Sequence, residues 1–277
     1  ITLAIEAAGA IILTARWSAE FPFSRALWYG VFHSVSAFCN AGFALFSDNL
    51  MKWHGDIFIC GTIALLVILG GIGFTVIMEV LEYKKTRFLS THSKLAMTVT
   101  AVLLIGGAFL IFLFESRIRP EIFLGHSPYE RVLIAIFQSV TTRTAGFNTI
   151  DIGAMSNAAL FLMIMLMFIG ASPGGTGGGI KTTTFGALMA ALRAIVRGDQ
   201  EVVVFGRRLG KELLLRAFII ALLSAALVGA VTLAMIAVRD RRLMDVLFEV
   251  TSAFGTVGLS TGITPKLTDT EKLLIII

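Results

Sequence analysis

The sequence predicts an all-α integral membrane protein assembled from a recurring unit of helix, half-helix, loop and helix. Three observations carry this expectation. Of 277 residues, 56% are hydrophobic and only 15% charged, whereas soluble domains carry about a quarter charged residues. Runs free of Asp, Glu, Lys and Arg cover Ile57 to Met78, Leu95 to Phe114, Ile152 to Ile180 and Ala217 to Val238. Each is about as long as the ~20 residues a bilayer core demands. Finally, one glycine-containing motif occurs three times, each time behind an apolar stretch too short to cross a membrane.

Taken in order, an apolar segment over 1–15 opens the chain, and a shorter one over 24–37 comes next, with Ser24 as a weak candidate cap. The uncharged run Ala26 to Ser47 then divides into a half-helix and a loop, and Ile57 to Met78 reads as one spanning helix. The second unit has a long segment over 95–114 and a half-helix over 128–141. Ser127, Pro128 and Glu130 form S-P-x-E, a capping box with proline at the first helical position. The third unit repeats the order with 217–238 and 242–254. At about 1.5 Å per residue, half-helices of this length traverse only part of a bilayer.

The shared motif stands in VSAFCNAGFALF (35 to 46), VTTRTAGFNTI (140 to 150) and VTSAFGTVGLSTG (250 to 262). Gly42, Gly146 and Gly258 coincide; Ala41, Ala145 and Val257 precede them, and Asn40, Thr144 and Thr256 stand two residues before. Irregular backbone at membrane depth is tolerated only where protein buries it or a water-filled path runs beside it. Glycine admits positive φ, so successive carbonyls can turn toward one axis and replace water around a cation. The half-helices would aim their partially negative C-terminal ends at the same place. The competing account, small residues for close helix packing, explains one such glycine better than three in a common frame.

The run from Ile152 begins as a helix and then meets ASPGGTGGGIKTTTFG. Pro173 removes a donor, and Gly174, Gly175, Gly177, Gly178 and Gly179 disfavour any helix through these positions. The helix is expected to break there, once in the chain. As a phosphate-binding loop the run fails, because Ile180 stands where lysine is required. As a nucleophile elbow around Ser172 it fails because Pro173 has no N–H, and His33, His54, His92 and His126 show no partner pattern.

The net charge of +5 does not indicate nucleic acid, because the basic residues lie between apolar runs. Ten of the 23 Lys and Arg lie in 82–94 and 193–216, which leans that face toward the cytoplasm. Cys39 and Cys60 lie in apolar sequence and read as small core residues. Arg143 reads as a structural clamp, paired to an acid of a neighbouring unit. Both ends of the chain fall inside apolar sequence, ITLAIEAAGAIIL and EKLLIII, so it reads as part of a longer protein.

The ordered set SAFCNAGF, TTRTAGFNT, SPGGTGGGIKTTTFG and SAFGTVGLSTG resembles the Trk/Ktr/HKT superfamily of potassium- and sodium-translocating subunits over essentially the whole chain. The resemblance implies four helix–pore-loop–helix repeats around a pseudo-fourfold pore, of which three are visible here: 1–83, 84–200 and 201–277, the last truncated. It implies a potassium-binding filter made by the carbonyls of Asn40, Ala41, Gly42 and Phe43, of Thr144, Ala145, Gly146 and Phe147, and of Thr256, Val257, Gly258 and Leu259. Single glycines, against two in the loops of potassium channels, point to looser discrimination against sodium.

The resemblance also implies an intramembrane gate over 172–184, with Pro173, Gly174, Gly175, Thr176, Gly177, Gly178, Gly179 and Lys181, the lysine placing positive charge near the cation path. It implies a multi-pass cell-membrane location, a homodimer, and a cytosolic ring of nucleotide-binding (RCK/KTN-type) regulatory subunits. Nucleotide would bind only to that ring, and this chain would carry no cofactor and no enzyme activity. Potassium, with sodium as alternative, would be the cargo. The rivals are a secondary transporter with two broken helices in matched halves and an intramembrane protease using Ser172.

Overall fold

The computed structural model describes residues 1–276 as a helical bundle. Helix α1 (Thr2–Trp17) leads to α2 (Phe23–Phe38), α3 (Ile57–Gly71) and α4 (Phe74–Thr86). Next come α5 (Thr91–Ile118), α6 (Pro128–Thr141), α7 (Asn157–Phe168) and α8 (Thr182–Arg197). Then a hairpin of β1 (Val203–Val204) and β2 (Arg207–Arg208) precedes α9 (Lys211–Val238), α10 (Leu243–Phe254) and α11 (Asp269–Ile276). The hairpin is a small departure from the all-α expectation. Phe205 and Gly206 at its tip both have positive φ, which suits a two-residue turn between antiparallel strands.

Helices α5 and α9, with 28 residues each, are long and apolar enough to cross a membrane, at about 42 Å apiece. Large apolar side chains cover their outer faces, among them Ile105, Phe109, Leu223 and Leu233. In water that would be costly, while in lipid it needs no further partner.

The expected span from Ile57 to Met78 is not one helix. It breaks after Gly71, and α4 leaves at 98° to α3. Gly73, with φ +95, has the backbone geometry that a side chain disfavours. The length of an uncharged run carries no information about a G-G-x-G hinge inside it. The chain therefore has two interrupted helices, here and after α7, instead of one.

Local signals set several boundaries. Ser127 and Glu130 form the capping box at α6, with Ser127 N–H donating to Glu130 Oε2 at 2.6 Å. Asp56 caps α3 by accepting from the N–H groups of Phe58 and Ile59. Ser24 does not cap α2, which begins behind Pro22 without a side-chain cap. Cys39 is exposed and Cys60 buried, both as free thiols, so only the second is a core residue.

Three apolar cores hold the bundle. One gathers Leu13, Trp17, Phe38, Trp53, Ile63 and Phe147 between α1, α2, α3 and α6. Trp17 meets Tyr29, Phe46 and Trp53 there edge to face, and Phe46 and Trp53 lie tilted with centroids 4.4 Å apart. At its rim Lys52 bonds Glu20 at 2.8 Å and holds that carboxyl below the usual carboxylate range. The second core joins α5, α6, α7 and α10, and the third joins α9, α10 and α11.

Candidate functional site

The site is where α2, α6 and α10 end. Each helix closes on a residue in the left-handed region: Asn40 at φ +51, Thr144 at +69 and Thr256 at +52. After α2, Asn40 N–H reaches Ala37 O and Ala41 N–H reaches Ser36 O; after α10, Thr256 N–H reaches Ala253 O and Val257 N–H reaches Ser252 O. Both are Schellman closures, a motif that normally places glycine at the left-handed position. A β-branched residue there is strained, at a cost of order 1–2 kcal/mol. Thr256 in such a closure and Thr144 at a left-handed helix end therefore point to a use for their hydroxyls.

Two residues on, Gly42, Gly146 and Gly258 are again left-handed, at φ +71, +79 and +85. The three segments, about 100 residues apart in sequence, meet at these glycines. A methyl group added at Gly42 would lie 2.5 Å from Ala145 O, and one added at Gly146 would lie 2.5 Å from Val257 O. In both cases the glycine abuts the carbonyl that precedes the next glycine, in the same sense. Asn40 Nδ2 ties two segments by donating to Thr144 Oγ1 at 3.2 Å and Arg143 O at 3.3 Å.

Among the described residues, no protein group donates to the carbonyls of Asn40, Ala41 and Gly42, of Thr144, Ala145 and Gly146, or of Thr256, Val257 and Gly258. Asn40, Thr144, Ala145, Gly146 and Val257 are buried, whereas Ala41 and Gly42 are half-buried and Thr256 and Gly258 exposed. Buried backbone carbonyls are nearly always paired, so this partly open cluster is a place for water or a cationic ligand. The next position differs. Phe43 O accepts from Ser36 Oγ at 2.9 Å and Phe147 O from Thr141 Oγ1, so these two are tied back to their own half-helices. Leu259 is buried.

Behind each glycine the chain is held by one buried polar side chain of the preceding half-helix. His33 Nε2 accepts from Leu45 N–H at 3.2 Å, and its Nδ1 donates to Tyr29 O at 2.7 Å. Gln138 Nε2 donates to Thr149 Oγ1 at 3.1 Å. Glu249 accepts from Thr261 N–H at 3.0 Å, Ser260 Oγ and Thr264 Oγ1. In each case a residue gripped is the third after the glycine. Reasoning from the sequence missed this trio, because histidine, glutamine and glutamate share no residue type. The available signal was only approximate: His33 and Glu249 stand nine residues before their aligned glycines and Gln138 eight.

The glycine-rich segment packs against the same three helix ends. Ile169 and Ile180 form a parallel bridge at its neck. Thr176 Oγ1 donates to Phe38 O at 3.2 Å, and Gly178 N–H donates to Thr256 Oγ1 at 3.0 Å. A methyl group at Gly177 would stand 1.8 Å from Thr144 Oγ1, so no other residue fits without displacement. The two strained threonines thus present their hydroxyls to this segment.

The other side of the segment rests on the break between α3 and α4. Gly70 O and Gly71 O accept from Thr176 N–H and Ser172 N–H, and Phe74 N–H donates to Gly174 O. Groups released by one broken helix satisfy those released by the other, as burial in an apolar medium requires. Gly70, Gly71 and Gly73 were not singled out from the sequence, though G-G-x-G was legible.

Arg143 is buried and does not pair with an acid. Its Nη2 donates to Gly170 O at 2.6 Å, joining the second motif to the start of the glycine-rich segment. Lys181 is half-buried, and its ammonium folds back to Gly177 O at 2.7 Å. Ser172 Oγ pairs with Thr182 Oγ1 at 2.7 Å, not with a histidine.

A family model described as "TrkH: Cation transport protein" matches residues 1–277. The potassium/sodium uptake protein NtpJ of Enterococcus hirae is 40% identical over 98% of this chain and 61% of its own length. The Ktr system potassium uptake protein B of Bacillus subtilis is 37% identical over 100% of this chain and 62% of its own length. Its namesake from Vibrio alginolyticus is 38% identical, over 99% and 61%. The crystal structure of the potassium transporter TrkH from Vibrio parahaemolyticus shares the fold, with a TM-score of 0.74 at 20% identity over 99% of this chain and 58% of that one. The chain spans about three fifths of the length of these relatives.

Proposed function

The chain belongs to the TrkH family of cation transport proteins, a membrane family and not an enzyme family, and on that premise we propose that it carries most of a gated potassium pathway. The observation that carries the reading is the convergence of three left-handed glycine segments whose carbonyls have no protein donor. Dehydrated potassium needs such oxygens in number and needs no formal anion. Asn40 to Phe43, Thr144 to Phe147 and Thr256 to Leu259 form the filter, with the carbonyls up to each glycine facing the ion. The engaged carbonyls of Phe43 and Phe147 end the row. Sodium is the alternative cargo, and the relative named for potassium and sodium uptake supports keeping it.

In this reading the chain divides into units 1–83, 84–200 and 201–277, and a fourth quarter of the filter comes from elsewhere in a longer protein. The segment 172–184 is the gate: it packs directly on the three helix ends, and it is held by hydrogen bonds that can be exchanged for water. The relatives named as Ktr system components imply a partner component. We assign it as a cytosolic nucleotide-binding ring that moves the gate of a homodimer.

The paired breaks of α3/α4 and α7/α8 also suit a carrier with broken helices around a midplane site. That reading places the ion between the breaks, whereas here the two breaks bond each other and leave the free carbonyls at the half-helix ends.

The test is potassium and sodium flux into liposomes containing the full-length parent protein, wild type against Gly258→Ser. Potassium-selective flux that loses selectivity in the variant supports the filter. Identical ion ratios in the two proteins refute it. Counterflow of labelled potassium against its gradient in the wild type would favour the carrier.

A further inference from the structure

On the face where the half-helices begin, away from the converging glycines, the segment ahead of α3 touches the start of α6. There His54, His126 and Glu130 bring one ligand atom each to within 4.8 Å of one another. No other group of three or more His, Cys, Asp or Glu side chains is so placed among the described residues.

Hydrogen bonds orient two of these residues for metal ligation, and the third, His126, is placed by its ring contact with His54. His54 Nδ1 donates to Met51 O at 2.8 Å, which leaves the Nε2 lone pair free; backbone carbonyls commonly fix metal-binding imidazoles in this way. Glu130 Oε2 is occupied by Ser127 N–H in the capping box, and Oε1 accepts from no protein donor. The imidazoles of His54 and His126 lie 4.4 Å apart at 68°. Gly55 makes room for the carboxylate: a methyl group there would sit 2.7 Å from Glu130 Oε1. All three side chains are partly buried, so their rotamers are restricted.

We propose that His54, His126 and Glu130 bind a zinc-class transition-metal dication that staples the segment preceding α3 to the first turn of α6. Two imidazoles and one carboxylate are the ligand set of open, three-residue zinc sites, whereas magnesium and calcium take oxygen ligands. Tetrahedral ligands at about 2.1 Å from the ion stand about 3.4 Å apart. The trio therefore closes by roughly an ångström on binding, within reach of side-chain rotation. Water fills the fourth position. The inference does not depend on the filter, and the experiment reads binding instead of flux.

The experiment titrates zinc chloride into the full-length, chelator-treated protein in detergent, by calorimetry. About one ion per chain is expected, with no comparable magnesium binding. His54→Gln and His126→Gln each weaken zinc by at least about tenfold, while His92→Gln binds as wild type. Zinc raises the Tm of the wild type and not of the two variants, because only the folded state holds the ligands together. Cobalt added to the wild type gives a tetrahedral visible spectrum, a readout that needs no variant. Absence of stoichiometric zinc binding, an octahedral cobalt spectrum, or unaltered affinity in both variants overturns the site.

Discussion

The molecule interrupts its helices with glycine in two ways, and the carbonyls tell them apart. At Gly42, Gly146 and Gly258 the chain turns through left-handed geometry, and the carbonyls leading to each glycine have no protein donor. Between Ile169 and Lys181 glycine is denser, yet four of its six glycine carbonyls are taken: Gly170 by Arg143, Gly174 by Phe74, Gly177 by Lys181 and Gly178 by Ala171, while those of Gly175 and Gly179 have no protein donor among the described residues. Glycine content alone thus says nothing about ligand binding. Whether the backbone keeps its own hydrogen bonds does. The first arrangement suits a site that exchanges water for an ion, and the second a plug that is stable without one.

The most severe challenge to this contrast is Gly146→Ser. The new side chain meets Val257 O at 2.5 Å with φ held at +79. Left-handed strain of about 1–2 kcal/mol and overpacking of about 1–3 kcal/mol add, so a lower Tm and loss of potassium selectivity are expected in liposome flux. Wild-type selectivity and Tm would show that the segments do not pack this way.

Next in size is Arg143→Ala, which strips Gly170 O of its donor. An unpaired buried carbonyl costs about 1–3 kcal/mol. The expected outcome is a lower Tm together with raised basal flux, since the neck of the glycine-rich segment loosens. Lower stability with unchanged flux would make Arg143 structural only.

Thr256→Gly separates the two regions more finely, because two effects oppose each other. Relief of left-handed strain returns about 1 kcal/mol, and loss of the bond from Gly178 N–H costs about as much. Thermal scanning should find Tm nearly unchanged while flux rises. Lys181→Met removes one half-buried bond to Gly177 O, worth about 1 kcal/mol, and a smaller rise in flux is expected. Gly106→Ala is the control for space: nothing lies within 4 Å of the added methyl, so unchanged flux is expected with a stability gain of about 0.5–1 kcal/mol from helix propensity alone.

Much of the helical outline was legible in the residues. The half-helices expected at 24–37, 128–141 and 242–254 run over Phe23–Phe38, Pro128–Thr141 and Leu243–Phe254. The cap at Ser127 needs only neighbours three residues away; the break expected at the Pro173 run is also seen, although α7 already ends at Phe168, where Ile169 turns extended to bridge Ile180. The hinge at Gly73 was missed because an unbroken apolar run satisfies the same length criterion whether straight or bent. The partner of Arg143 was missed because a carbonyl acceptor is present at every residue and leaves no mark on composition.

The order of amino acids alone therefore dictates the local and periodic features: a membrane solvent, the short helices, and glycine where φ must turn positive. These arise from steric and solvation costs that act over a few residues. The assembled fold selects which carbonyls are left without a donor, makes two broken helices satisfy each other, and stands His54 beside His126 and Glu130. Its side-chain bonds reach 27 positions along the chain from Arg143 to Gly170 and 138 from Thr176 to Phe38. Packing selects such pairs by distance and angle, quantities that no local propensity encodes.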